Sequence, residues 1–297
     1  MSARRAGLRG ALCAALALVL AQHAARGATA EESRPLPLRY GWSPGQVWRA
    51  TSSVERETRV GDDVQRDRGA ARFEYTVERA PGGEVRLEAR MLAQETDAGA
   101  TPIDFSPIAF HAEIDARGRL RDAHYTIADA PPPAAAGEVS DPVAYQQILR
   151  RVASAWRSAV FWFPELPERS LKPGDAFVVE DERDLSDEPG AAMRVHSTRT
   201  YRLLAVADGV ARFRVEEDSR VDAGSGESRI DSRERAEGEA LFDLALGMWT
   251  RQQLVSSQRA RYSGPAEGKS GAAGEASSRS VATIEMERAP AAGAPPR

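Results

Sequence analysis

Between residues 71 and 92 the chain alternates apolar and polar positions with period two. Phe73, Tyr75 and Val77 alternate with Arg72, Glu74 and Thr76, and Val85, Leu87 and Ala89 alternate with Arg86, Glu88 and Arg90. Period two marks a strand with one dry face and one wet face. Pro81-Gly82-Gly83 between the two runs supplies turn chemistry, so they predict a hairpin. A second hairpin is predicted over 201–218, where Leu203, Ala205 and Ala207 lead through Asp208-Gly209 to Ala211, Phe213 and Val215. Asp-Gly between alternating segments favours a two-residue turn. Displacing the first hairpin by 126 positions carries Tyr75 onto Tyr201, Gly83 onto Gly209, Arg86 onto Arg212 and Leu87 onto Phe213.

Two further correspondences extend the repeat. Ser43-Pro44-Gly45 before Trp48 matches Lys172-Pro173-Gly174 before Phe177, with an offset of 129. The run 111–125, with Ile114-Asp115, Gly118 and Leu120, matches 238–254, with Phe242-Asp243, Gly247 and Trp249. Proline sets one turn dihedral and glycine permits a positive one, so each Pro-Gly opens the first strand of a half. The predicted fold is mainly β: two similar antiparallel halves forming a large curved sheet or paired half-barrels, with one amphipathic helix packed between or inside them. The expected N-terminal half is 31–127, the C-terminal half 164–288. Convergence of unrelated hairpins on Gly and Asp turns is the alternative to duplication.

A different period separates the halves. After Asp141-Pro142, which offers an N-cap and a proline in the first turn, apolar residues recur at spacings of three and four: Tyr145, Ile148, Leu149, Val152, Trp156, Val160 and Phe163. This predicts an amphipathic helix over 141–163, ended by Pro164. The segment 128–140, rich in Pro and Ala, reads as a linker. The run 263–278 reads as a flexible Gly/Ala/Ser loop, and 289–297 as a disordered tail.

The first 30 residues differ from everything after them. Arg4, Arg5 and Arg9 precede a short apolar run over 10–21, and Ala28-Thr29-Ala30 offers a cleavage pattern. This predicts a signal peptide over 1–30, cleaved near Ala30, with the chain exported to the periplasm or secreted. The apolar run is too short for a membrane span, and no transmembrane segment is expected in the mature chain. Cys13, the single cysteine, falls in that run, so the mature chain is expected to have no thiol chemistry. Loss of Arg4, Arg5, Arg9 and Arg26, and of no acid, takes the formal charge from −4 to −8. An acidic chain lacks the basic face that nucleic acid demands.

Candidate chemistry is sparse. His111 and His124 flank the turn at Asp115–Gly118. Strand parity places them on opposite faces unless a bulge intervenes, and a zinc centre needs a third or fourth ligand that the pattern does not supply. His196 stands alone. The acidic runs 179–189 and 215–222 lack a calcium-loop framework and are interleaved with arginine, as on a solvated strand face. Nucleophile, phosphate-loop and dinucleotide motifs are missing, so no catalytic residue, metal or cofactor is expected and the chain reads as a non-enzyme. The suggestive feature is aromatic. Trp156, Phe161, Trp162 and Phe163 crowd the helix end, and Trp48 and Phe177 take equivalent places in the two halves. They are the candidate contacts for an apolar ligand, with plain core packing as the competing reading.

The early Pro-Gly-x-x-Trp (Pro44–Trp48), the middle Leu166-Pro167 with Lys172-Pro173-Gly174-Asp175-x-Phe177, and the late Gly238–Gly247 run resemble a family of secreted bacterial β-rich proteins of uncharacterised function. A curved sheet covered by a helix is also similar, at the level of fold, to periplasmic half-barrel lipoprotein carriers of the LolA type. The resemblance implies an architecture and no catalytic residue. The leading expectation is a non-enzymatic periplasmic protein that binds a lipid-like or other apolar envelope component. The alternative is a protein-interaction or scaffold module with an envelope protein as partner. Third comes a hydrolase in which acids such as Glu216 and Asp243 converge.

Overall fold

A computed structural model describes residues 35–80, 84–97, 104–129, 141–157, 160–184, 191–225, 228–266 and 269–290. The strands are β1 (Val47–Val60), β2 (Asp63–Arg79), β3 (Val85–Thr96), β4 (Ile108–Ile114), β5 (Leu120–Ile127), β6 (Ala176–Asp184), β7 (Ala191–Ala207), β8 (Val210–Ser225), β9 (Ser228–Asp243), β10 (Met248–Ala266) and β11 (Lys269–Arg288). The helix α1 (Pro142–Arg157) lies between β5 and β6 in sequence. All eleven strands form one antiparallel sheet in the order β5-β4-β3-β2-β1-β11-β10-β9-β8-β7-β6. The curved sheet is open: β5 and β6 are its two edges. Ten steps of antiparallel pairing separate them, so they run in the same direction. A hairpin-like closure between them is ruled out by this geometry.

The two halves repeat in detail. In the sheet, β1 to β5 and β6 to β10 appear in the same order and direction, with β11 filling the seam between β1 and β10. Trp48 pairs with Tyr75, and Phe177 pairs with Tyr201. Val77 pairs with Leu87, and Leu203 with Phe213. The Pro-Gly turns have matching hydrogen bonds: Gly45 N–H donates to Val77 O and Gly174 N–H to Leu203 O, both at 2.8 Å. Their φ values are 85° and 93°, which only glycine adopts without strain. Asp208 and Gly209 (φ 52° and 75°) form the left-handed hairpin turn expected of Asp-Gly.

One core serves both halves. A single cluster of buried side chains runs from Leu87 and Phe110 through Trp48 and Tyr75 to Tyr201, Phe213 and Trp249. Two strand-free segments stitch it together. In the N-terminal segment, Tyr40 N–H donates to Ala116 O (2.8 Å) and Gly41 N–H to Gly247 O (2.9 Å), so successive residues hold the matching turns of the two halves. The segment after the helix joins the first through the Leu36–Leu171 bridge, and Leu166 N–H donates to Arg117 O (2.7 Å). Each fully buried large side chain contributes about 1.5–3 kcal/mol. The exposed ion pairs of the other face, such as Arg49–Glu74 and Arg261–Glu275, contribute about 0–1 kcal/mol each. The aromatic core therefore dominates stability.

Two expectations change. The helix begins as predicted, with Asp141 Oδ1 accepting from Val143 N–H (3.0 Å); its described span is Pro142–Arg157, Val160 N–H still donates to Trp156 O (2.9 Å), and it does not reach 163. Residues 161–167 have no helical turn. Pro164 disfavours helical backbone at the residue before it, and the segment instead packs along the sheet. The expected loop over 263–278 is mostly hairpin: Ser263 pairs with Ala273 and Gly264 with Ala272, and the strands reach Ala266 and Lys269. Ladder hydrogen bonds need only backbone, so small residues do not end a strand whose partner continues. The predicted signal peptide, Pro81–Gly83, residues 130–140 of the linker and 291–297 of the tail lie outside the described residues.

Candidate functional site: the inner face of the sheet

Strand register divides the sheet into an outer face and an inner face, the latter bearing the core and α1. The outer face is mostly charged, with Val64 and Val178 standing singly on it at 49% and 56% exposed. Arg212 pairs with Glu239, Arg214 with Glu216 and Glu237, and Arg235 with Asp218. This is the reverse of the apolar band that a lipid-facing barrel presents.

The inner face is banded. Near the core, one row across the strands reads Val54, Ala282, Leu254, Gly238, Val215, Tyr201 and Phe177. The next row is polar: Arg56, Ser280, Ser256, Ala236, Glu217 and Arg199. Beyond it come Thr58, Ser278, Gln258, Glu234, Ser219 and Ser197. This belt is internally hydrogen-bonded. Arg199 holds Glu217 Oε2 at 2.7 and 2.8 Å, and Ser219 Oγ donates to Glu217 Oε1 at 3.0 Å. Gln258 bridges Ser232 (2.8 Å) and Ser278 (3.1 Å), and Ser256 and Ser280 share a bond of 2.8 Å. Burial opposes the Arg199 charge, but Tyr201 and Glu217 outweigh it, and its pKa lies above the ordinary guanidinium value. Burial raises the Tyr201 phenol, with Arg199 pulling it back.

Past the belt the inner face turns apolar again, and here it is exposed. Val60, Ile230, Tyr262 and Met193 are 46%, 44%, 41% and 37% exposed. Register places them all on the inner face, with Val60 beside Ala276 and Tyr262 beside Ile230. The residues between are small or β-branched: Ala260, Ala276, Ala223, Val221 and Val195. Tyr262 lies across Gly274, where a Cβ would stand only 2.0 Å from its hydroxyl. The eight residues from Val215 to Ala223 put this strip about 27 Å from the core along β8. Sequence reading missed the strip. Its trace is the alternation over 229–236, where Ile230, Ser232 and Ala236 alternate with Arg229, Asp231, Arg233 and Arg235.

The six aromatic residues singled out from sequence are distributed differently. Trp48 is 0% exposed on β1, and Phe177 is buried, stacked on Tyr201 at 4.9 Å and 9°. Phe161 and Phe163 are buried, Phe163 against Trp42 (5.0 Å) and Tyr75 (5.6 Å). Trp162, beside Phe163, and Trp156, beside Phe73 at 5.4 Å, are half-buried. Four of the six are thus covered by the protein itself and present no surface to a ligand. A depression of about 610 Å³ lies elsewhere, on the outer face, floored by Thr198, Thr200, Val255 and Ser257. Glu216 sits there in an ion pair with Arg214, while Asp243 caps the β9–β10 turn through the N–H groups of Ala245 and Leu246 (both 2.9 Å). The two acids do not converge.

The histidines correct the parity expectation. His111 and His124 face each other across β4 and β5, with rings stacked at 5.1 Å and 26°. A bulge between His111 and Glu113 sets Asp122 and Ala123 against the single residue Ala112, and Asp122 takes φ 49°. The extra residue flips the face of His124. His196 is on the outer face of β7, opposite Arg220.

No protein-family model matches this chain, and no curated protein does. Among solved structures, the β domain of the Bordetella autotransporter BrkA aligns with 82% of this chain and 100% of its own at 10% identity and a TM-score of 0.36. Lipovitellin, in a study of its lipid–protein interactions, aligns with 86% of this chain and 26% of its own at 10% identity and a TM-score of 0.35. A porin of Rh. blastica aligns with 81% of this chain and 100% of its own at 6% identity and a TM-score of 0.20. At these scores the likeness extends to large antiparallel sheets and carries no argument about function.

Proposed function

We propose that this chain is an exported, non-enzymatic binding protein that takes an amphipathic, lipid-like molecule on the distal inner face of its sheet. The supporting observation is the exposed strip of Val60, Ile230, Tyr262 and Met193 beside a hydrogen-bonded polar belt. Exposed apolar residues grouped on one face, bordered by polar ones, mark a binding surface more than a packing accident. Arg56, exposed in the belt's row on β1, offers its guanidinium to a head group while the strip takes a chain. This reading moves the ligand from the aromatic cluster, which fills the core, to the far end of the strands.

The test is titration of the mature protein with the fluorescent apolar probe 1-N-phenylnaphthylamine, against the variant Ile230→Glu/Tyr262→Ser. Removing about 100 Å² of apolar contact costs about 2.5 kcal/mol, or some 60-fold in affinity. Saturable binding in the native chain with at least tenfold weakening in the variant is expected. Both positions are more than a third exposed, so the thermal midpoint moves little. Equal probe binding by both proteins would sink the assignment.

The position of β5 and β6 at the two edges favours a second reading, in which a partner strand adds to the sheet. A photoreactive residue at Glu180 in β6 then yields an adduct with an envelope protein. Recovery of monomer alone counts against it.

A further inference from the structure

We propose that the far end of β8 to β11 is a docking surface for an anionic lipid bilayer. This rests on the reading above and extends it: the end of the sheet that bears the apolar strip is the end that meets the source of the amphipathic molecule. A separate observation, on the other face, carries it. Across the outer face, Arg220 on β8 pairs with Arg233 on β9, and Arg233 pairs with Arg259 on β10. Like charges set directly opposite each other destabilise a sheet. Arg220 is compensated by Asp222 at 3.2 Å and Asp231 at 3.7 Å. Among the described residues, Arg233 and Arg259 have no acid or hydrogen-bond acceptor as partner, nor has Arg279, one row nearer the core on β11. All three are exposed. The acid across from Arg279, Glu57, is taken by Arg59 (2.8 Å) and Arg66 (3.1 Å). Elsewhere on this face arginines are matched with acids, as in Arg212–Glu239 and Arg251–Glu285.

The two faces line up along the strands. Ile230 and Tyr262 pair with each other on the inner face, near the ends of β9 and β10, and Arg233 and Arg259 pair three residues further in. Three residues of strand span about 10 Å. With Ile230 and Tyr262 at the acyl boundary, the arginines therefore stand within the roughly 10 Å over which an anionic surface attracts cations. A guanidinium grips phosphate oxygens with two parallel N–H groups. Tyrosine suits the boundary because its ring is apolar and its hydroxyl polar. Charges at the level of Tyr262 on the outer face are neutralised in pairs, Glu275 with Arg261 at 2.9 Å and Asp231 with Arg220, and stay among the head groups. Asp62 and Asp63 at the β1–β2 turn repel an anionic surface and confine the contact to β8–β11. The charged outer face lets the sheet touch the bilayer and not span it.

The experiment is sedimentation of the mature chain with vesicles of phosphatidylglycerol and phosphatidylcholine in equal parts, against vesicles of phosphatidylcholine alone. Binding to the mixed vesicles only, weakened at about 0.5 M NaCl, is expected. Arg233→Gln/Arg259→Gln is expected to bind about 30-fold more weakly, the usual contribution of two arginines beside an anionic surface. Arg212→Gln/Arg214→Gln removes the same charge about 20 Å or more up β8, beyond the screening length, and binds like the native chain. Circular dichroism melts verify folding; the Arg233→Gln/Arg259→Gln chain melts no lower than the native one, because a like-charge contact is removed. Titration of the same samples with 1-N-phenylnaphthylamine separates the two readings, and this variant binds the probe as the native chain does. No binding of the native chain to mixed vesicles, equal binding to both vesicle types, or full binding by Arg233→Gln/Arg259→Gln overturns docking, while intact probe binding leaves the apolar site standing. Retention of the native chain by soluble polyphosphate and not by vesicles makes the row a site for a soluble polyanion and overturns docking as well.

Discussion

Tyr40→Phe isolates the interaction that ties the two halves into one core. The Tyr40 hydroxyl accepts from Trp249 Nε1 at 2.9 Å and donates to Pro164 O at 2.9 Å. It thereby joins the N-terminal segment, the second half and the segment after α1. The substitution removes one oxygen and almost no volume. The ring contacts remain: stacking on Trp42 at 5.5 Å, and edge contacts with Phe163 (6.0 Å) and Phe242 (6.1 Å). What is lost is the partner of a buried indole N–H and of a buried carbonyl. Each unsatisfied group costs about 1–3 kcal/mol, so the two together cost about 2–6 kcal/mol. Tyr145→Phe is the comparison. Its hydroxyl makes one part-buried bond, to Asp104 O at 2.9 Å, and should cost about 1 kcal/mol. Urea unfolding followed by tryptophan fluorescence and by circular dichroism reads both. With a denaturant slope of roughly 3 kcal/mol per molar, the Tyr40→Phe midpoint falls by about 0.7–2 M, and the two probes coincide. A midpoint shift no larger than that of Tyr145→Phe would refute the linchpin role. So would two separate transitions of which only one moves.

Two other predictions follow from the turns. Gly45 and Gly174 have positive φ and open space where a Cβ would go, so alanine at either position costs only left-handed strain of about 1–2 kcal/mol, equal within error in thermal melts. Gly118→Ala meets the Tyr40 ring at 2.4 Å and Pro164 O at 2.9 Å, so it is expected to cost well over that and to be the least stable of the three. The Lys172 N–H, and then Arg169, hold the Asp175 carboxyl below its ordinary range. A depressed folded pKa stabilises above the unfolded value of about 4 and loses that contribution as pH falls through the folded one. The melting-temperature gap between the native chain and Asp175→Asn therefore narrows as pH falls below about 4; a constant gap contradicts it.

What could be read from sequence follows from which constraints act locally. The Pro-Gly and Asp-Gly turns were legible because positive φ restricts residue choice, and Gly45, Gly174 and Gly209 all have it. The half-buried strands around Tyr75 and Phe213 were legible because one dry face forces period two. The far ends of β10 and β11 were not, because their Ala, Gly and Ser residues carry no pattern and are ordered by pairing with a neighbour. The end of α1 was misjudged because an apolar run such as Val160–Phe163 fits helix or extended packing equally well. The bulge at Asp122 decides the histidine pair, and one inserted residue leaves no mark on periodicity. The aromatic cluster at Phe161–Phe163 has the composition of a pocket and the burial of a core. Only the three-dimensional arrangement separates the two.

The central claim is that the distal inner face holds an amphipathic ligand. The most direct test is native mass spectrometry of the mature chain purified without detergent from its own cell envelope, beside Ile230→Glu. An adduct of lipid mass in the native chain, absent from a folded Ile230→Glu variant, is the predicted result. A bare native chain, or an adduct that persists in the variant, contradicts it.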